Sequence, residues 1–276
     1  MKAALFALFA LFALPLAFTA AATERIVSIG GDVTQIIYAL DAQQELVARD
    51  STSLHPAVVK KLPDVGYMRQ LNAEGILALK PTLVIASELA KPTLALQQVA
   101  QNGVKVVDVT GRADIAAISE KIATVAATLH REEAGSALQA RVKKQLASIP
   151  AKPLPVKVLF ILAHQGMGTM AAGSETSADA AIKAAGLQNA MASIRRYQPL
   201  SQEGVIASAP QLIVATRDGI KTLGGEANLW KLPGIALTPA GQHQQLLVVD
   251  DMALLGFGID TPGAILKLRQ AAEALP

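Results

Sequence analysis

Leu71–Ser87 reads LNAEGILALKPTLVIAS, and Leu200–Thr216 reads LSQEGVIASAPQLIVAT. The second stretch repeats the first at an offset of 129 residues, with seven identical pairs: Leu71/Leu200, Glu74/Glu203, Gly75/Gly204, Ala78/Ala207, Pro81/Pro210, Leu83/Leu212 and Ala86/Ala215. Four of the other ten positions exchange one aliphatic for another. Each copy predicts a short helix with Glu near its start, a Pro stop, and a run of four apolar residues. Such a run suits a strand buried on both faces of a parallel sheet. Two copies predict two similar α/β lobes with Rossmann-like, parallel-rich sheets, and a cleft between lobes is where small ligands bind.

The chain of 276 residues allows one large domain or two ordinary ones. Met1-Lys2, the apolar run Ala3–Phe18 and the A-x-A site Ala20-Ala21-Ala22 form a secretory signal peptide over 1–22, with cleavage near Ala22. No later segment is apolar enough to span a bilayer, so no membrane insertion is expected after signal removal. There is no Cys, so a lipid-anchored junction and thiolate chemistry are both excluded. Losing Lys2 leaves 24 basic and 22 acidic residues, a net charge of about +2, too mild to argue for nucleic acid.

Outward from the repeat, residues 23–111 alternate strand and helix: a strand at Arg25–Ile29, a helix at Gln35–Leu40 capped by Asp32 or Thr34, strands at Glu45–Arg49 and Val104–Val107, and a helix at Thr93–Gln101. Residues 112–150 break that alternation. Ile115, Ile118, Ile122, Val125 and Leu129 form one stripe, predicting a single linker helix with Gly135 as its weakest point. Residues 151–276 form the second lobe, with strands at Val156–Leu162 and Leu246–Val249 and helices at Thr176–Ala185 and Pro262–Leu275. One rigid helix between lobes permits only small relative motion.

The common enzyme motifs are absent: no G-x-S-x-G, P-loop, H-E-x-x-H, or G-x-G-x-x-G after a strand. Gly30-Gly31 is the nearest thing to a phosphate loop, and a tight strand–helix turn explains it more simply. The four His (His55, His130, His164, His243) show no metal-ligand spacing. A binding protein is favoured over an enzyme. In open α/β sheets the loops after the strands line the ligand crevice. Tyr67 is in such a loop, after Gly66 and two residues before Arg69. A guanidinium nearby favours a phenolate, and a phenolate suits ferric iron. On the motif alone, a surface tyrosine is the simpler reading. His164 ends the second lobe's first strand and opens HQGMGTMAAG, whose Met167 and Met170 suit a flat aromatic ligand. If the lobes are related as the repeat implies, His164 faces Tyr67. A strand-end His bonded to backbone is the alternative. Glu74 and Glu203 each open a helix, where the dipole alone favours a carboxylate. As an equivalent pair they could also dock a two-fold symmetric partner bearing Arg.

At this point the chain resembles the periplasmic haem-binding proteins of bacterial haem ABC importers, within the helix-linked group that also carries cobalamin and ferric siderophores. The resemblance covers the mature chain and lies in ERIVSIGGDVTQIIYALDA, LPDVGYMRQLNAEGILALKPTLVIAS, ILAHQGMGTMAAG and LWKLPGIALTPAG. It implies that Tyr67 ligates haem iron through its phenolate and that Arg69 supports it. His164 aligns with a residue that helps bind a second stacked haem in some members, so one or two haem b per chain are implied. Glu74 and Glu203 align with carboxylates that bridge to arginines of the permease dimer, which works with a cytoplasmic ATPase. Arg217 reaches a propionate by position alone. A periplasmic monomer is expected. A carrier of cobalamin or a siderophore, an exported α/β enzyme and a divalent-metal carrier are the competing readings. The last needs three or four converging His, Asp or Glu ligands.

Overall fold

The computed structural model describes residues 24–164 and 166–276, and of Met167 the backbone alone. The signal peptide and its cleavage site lie outside the described residues. The N-terminal lobe runs β1 (Ile26–Ile29), α1 (Gly31–Ala39), β2 (Leu46–Arg49), α2 (Ala73–Leu77), β3 (Leu83–Ser87), α3 (Leu94–Gln101) and β4 (Lys105–Val109). Its sheet is wholly parallel, in the order β2-β1-β3-β4. After the linker come β5 (Lys157–His164), β6 (Met167–Ala172), α6 (Ser177–Ala184), β7 (Gln188–Asn189), β8 (Tyr197–Pro199), α7 (Gln202–Ser208), β9 (Leu212–Thr216) and α8 (Arg217–Thr222). The chain closes with α9 (Glu226–Leu229), α10 (Pro239–Gln242), β10 (Leu246–Val249), α11 (Asp251–Leu255) and α12 (Thr261–Glu273). The second sheet has the order β10-β9-β5-β6-β8, parallel from β10 to β5 and antiparallel beyond, with β7 also on β5.

The sequence repeat is a structural repeat. β3 and β9 have equivalent bounds and equivalent central places, each parallel to a neighbour on both sides. Asn72 caps α2 through the Glu74 N–H at 2.8 Å, and Ser201 caps α7 through the Gly204 N–H at 3.1 Å. Lys80 (φ 49°) and Ala209 (φ 46°) are both left-handed, directly before the shared proline. β5 therefore takes the place of β1, and β10 that of β4.

The linker differs from the single helix expected over 112–150. It is two antiparallel helices, α4 (Ile115–Thr128) and α5 (Glu132–Ala147). The break falls at His130, not Gly135. His130 is left-handed (φ 54°), the Arg131 N–H reaches the Ala126 carbonyl at 2.8 Å, and the His130 N–H reaches that of Ala127 at 3.4 Å. Those two bonds are a Schellman stop. Gly135 instead sits inside α5 where the helices touch, since a Cβ there would lie 2.5 Å from Ala126 Cβ. The α1 start also differs: the helix begins at Gly31 with Gly30 before it, and neither Asp32 nor Thr34 caps it.

Asp32 is used elsewhere. Its Oδ2 accepts from Lys121 Nζ at 2.6 Å, and Lys121 also donates to the Gly256 carbonyl at 2.7 Å, with both side chains fully buried. One apolar core runs continuously through Ile26 and Val33, through Ile118, Ile122 and Val125 of α4, and through Val158, Phe160 and Leu268 of the second lobe. The opposite sheet faces have separate cores. Val27, Ile29 and Val84 pack with Ile76 of α2, and Leu159, Ile161 and Ile213 pack with Val205 of α7. Separating the lobes at this shared core would expose close-packed apolar surface and break the Lys121 bonds.

Lys121→Met removes the cation and leaves a carboxylate in the core. The expected loss is about 3–5 kcal/mol of unfolding free energy, read from the urea midpoint. An unchanged midpoint contradicts the role given to this pair.

Candidate functional site

The C-terminal ends of the strands meet where the lobes adjoin. His55 Nε2 lies 3.0 Å from Asp250 Oδ2, joining the loop after β2 to the N-cap of α11. A Cβ on Gly31 would come within 3.2 Å of Met252 Cγ, and one on Gly258 within 3.3 Å of Asp32 Cβ. Open α/β sheets bind ligands at this end of their strands.

Gly30 and Gly31 are a strand–helix turn, and their amides are occupied. The Gly30 N–H donates to Asp50 Oδ1 and the Gly31 N–H to Thr52 Oγ1, each at 3.0 Å. Side chains would not fit: a Cβ on Gly30 would lie 2.8 Å from Ser87 Cβ, and one on Gly31 2.6 Å from the Thr52 carbonyl oxygen. The turn thus offers no free amide cradle for a phosphate. Buried Asp50 also accepts from the Thr52 N–H at 3.0 Å and from the hydroxyls of Thr52 and Ser53, each at 2.7 Å. Every contact fixes the loop that leads to Tyr67.

Tyr67 is 43% exposed, next to buried Met68, and its phenol makes no hydrogen bond among the described residues. Arg69 is exposed in the same turn, which the Gln70 N–H closes onto the Tyr67 carbonyl at 2.7 Å. The other two tyrosines are less suited to iron. Burial raises Tyr38, and it pushes Tyr197 up to about 12, disfavouring both phenolates.

His164 is the exposed last residue of β5, and β6 turns back against it with His164 opposite Met167 and Leu162 opposite Met170. The expected loop is therefore a hairpin. Its Gly, Met and Ala composition carries little strand propensity, and pairing with β5 and β8 imposes the strand. Met170 is half-buried, and the Met167 side chain lies outside the described residues. Arg217 is exposed at the start of α8, which packs on the end of β5. Tyr67, in the loop after β2, and His164, the last residue of β5, are not repeat equivalents. The residue 129 positions beyond Tyr67 is Arg196, while β5 replaces β1.

Glu74 and Glu203 are exposed, one on each lobe, on helices covering the sheet faces opposite the linker. A depression of about 470 Å³, lined by Met191, Ile194, Arg195 and Ser201 among others, adjoins the start of α7 and belongs to the second lobe alone. Among the described residues no three His, Cys, Asp or Glu converge as a metal site, and no helix is long and apolar enough to cross a membrane. The spatial partners Arg49–Asp64, His55–Asp250 and Asp32–Lys121 carry no signal in the sequence, because no spacing rule connects them.

Two α/β lobes joined by a helical linker, with strand ends meeting between them, form an architecture suited to holding a small molecule. A sequence profile of the periplasmic binding protein family matches residues 26–253, and the chain belongs to that family. The apo structure of the periplasmic heme-binding protein RhuT from Roseiflexus sp. RS-1 superposes with a TM-score of 0.87 at 38% identity, covering 91% of this chain and 98% of that one. The periplasmic heme-binding protein BhuT, in complex with two hemes, gives 0.85 at 36% identity, with the same two shares. The vitamin B12-binding protein of Yersinia pseudotuberculosis (strain IP 31758) is 30% identical over 221 residues, covering 78% of this chain and 76% of that protein.

Asp251 opens α11 at this crevice. Burial raises its pKa; the Thr216 hydroxyl opposes the rise, and the Asp218 and Asp250 charges add to it. With the folded pKa above the unfolded value, its contribution favours the fold at low pH and is lost as pH rises through the folded pKa. Asp251→Asn should therefore gain thermal stability relative to wild type as pH is raised from 3 to 7. A pH-independent difference contradicts this.

Proposed function

We propose that this chain is a haem carrier, exported after cleavage near Ala22, which captures haem between its lobes and delivers it to an inner-membrane ABC permease dimer driven by a cytoplasmic ATPase. The observation that carries the reading is Tyr67. It is an exposed phenol at the strand-end crevice, on a scaffold that closely matches proteins described as heme-binding. Haem iron needs an axial donor, its ring an apolar slot, and its propionates a cation or water. Tyr67 supplies a phenolate, which favours ferric iron. Arg69 supports that charge from two residues away. Met170 and Met167 supply soft apolar contact on the second lobe, and Arg217 supplies a cation for a propionate. His164 serves a second haem, a stoichiometry supported by BhuT in complex with two hemes. Glu74 and Glu203 dock arginines of the permease, one lobe on each half. The protein acts as a monomer with no turnover chemistry.

The second reading is a cobalamin carrier, favoured by the relative described as vitamin B12-binding. The two differ at Tyr67, because cobalamin carries its own axial ligands to cobalt, whereas haem iron takes an axial donor from the protein.

Tyr67→Phe should weaken hemin binding more than tenfold, measured by absorbance titration; unchanged affinity rules out phenolate ligation. Glu74→Ala with Glu203→Ala should abolish haem uptake into vesicles carrying the permease while leaving hemin affinity intact. Loss of hemin binding in that double variant contradicts the docking role.

A further inference from the structure

The turn that carries Tyr67 is held by one carboxylate. Asp64 lies three residues before Tyr67. Its Oδ1 accepts from the Gly66 N–H and from Ser51 Oγ, each at 2.9 Å, and its Oδ2 accepts from Arg49 Nη1 at 2.9 Å. Backbone bonds complete the attachment. The Arg49 N–H reaches the Pro63 carbonyl at 3.0 Å, while the Val65 N–H reaches Arg49 and the Ser51 N–H reaches Gly66, both at 2.9 Å. The segment 63–66 is thereby zipped onto the end of β2.

Packing fixes this turn on its far side, where Met68 is buried among Val27, Ile76 and Val84 with Val65 and Leu71 against that core, but not at Gly66. Gly66 is left-handed (φ 99°), and a Cβ added there would meet nothing nearer than 4.0 Å. Tyr67 itself is exposed. With Met68 anchored in the core, the backbone entering Tyr67 from the Gly66 side is held by hydrogen bonds one peptide away. Arg49 is the anchor: it ends β2, is only 8% exposed, and also donates to the Asp50 carbonyl at 3.0 Å. Asp50 in turn holds the Gly30 turn and Ser53. A continuous chain of contacts runs from the centre of the sheet to the peptide bonded to Tyr67.

We propose that Asp64, anchored by Arg49, is the positioning residue for the iron-binding tyrosine; this rests on the reading of Tyr67 as the haem ligand. The chemistry requires a carboxylate. Three donors converge on Asp64, and an ionised carboxylate accepts all of them through two oxygens. An amide offers one accepting oxygen and turns two N–H donors toward either the guanidinium or the Gly66 amide. The bland alternative is that Asp64 only neutralises a buried guanidinium, in which case stability falls and the haem site is unaffected.

The test uses the mature protein with hemin and compares wild type, Asp64→Ala, Asp64→Asn, Arg49→Gln and Tyr67→Phe. The readouts are thermal midpoint, the ferric charge-transfer spectrum, and the rate of hemin transfer to excess apomyoglobin. Asp64→Ala should release hemin at least tenfold faster, with an altered ferric spectrum. Asp64→Asn should lie between it and wild type. Arg49→Gln keeps the Asp64 bonds to Gly66 and Ser51, so it should lower the midpoint while changing release less than Asp64→Ala does. Wild-type spectra and release rates in both Asp64 variants overturn the positioning role, and if Asp64→Ala does not fold, a wild-type result for Asp64→Asn does so alone. Tyr67→Phe separates the two readings: if it alone changes the spectrum, ligation stands and positioning falls, and if it changes nothing, ligation itself falls.

Discussion

Lys121 and Asp32 form an ion pair sealed from water, 2.6 Å apart, and the two-lobed arrangement turns on it. The lysine comes from the linker, the carboxylate from the first helix of the N-terminal lobe, and the third partner, the Gly256 carbonyl, from the end of α11. Three parts of the chain are joined at one nitrogen. A buried charge pair contributes little net stability against apolar residues of equal volume, but losing either partner is costly. Its consequence is geometric, because the pair fixes how the lobes sit while the shared apolar core around Ile118, Ile122 and Phe160 resists their separation.

That constraint makes the crevice a preformed feature. Tyr67 and Arg69 belong to the loop after β2 of one lobe, and His164, Met170 and Arg217 lie at the end of β5, on β6 and at the start of α8 of the other. Each lobe keeps an exposed glutamate on the sheet face away from the linker core. In the proposed reading, ligand capture and partner docking use different surfaces of the molecule. A carrier gains from this separation, because docking can proceed with the cargo still in place.

The repeat was the most legible part of the fold. The Glu-Gly helix, proline and apolar strand recur with matching caps, matching left-handed residues and matching sheet positions, since each is a local consequence of residue type. The linker was legible as helix but not as two helices. The apolar stripe runs to Leu129 with no Pro or Gly at the break, and a Schellman stop on a histidine gives no glycine signal. The β5–β6 hairpin was hidden because Met and Gly become strand there only through pairing. At the site, Tyr67, His164 and the two glutamates stood out from their sequence neighbours and from family resemblance. Asp64, Asp50 and Arg49, which hold the Tyr67 loop, did not, because their roles depend on which backbone groups the fold brings to them.

The central claim is that the crevice binds haem iron through Tyr67. Its most direct test is a titration of the purified mature protein with hemin, followed by absorbance and repeated with Tyr67→Phe. The account predicts a saturable high-spin ferric spectrum with a tyrosinate-to-iron charge-transfer band that disappears in the variant. A featureless linear rise, or a saturable spectrum identical in both proteins, would contradict it.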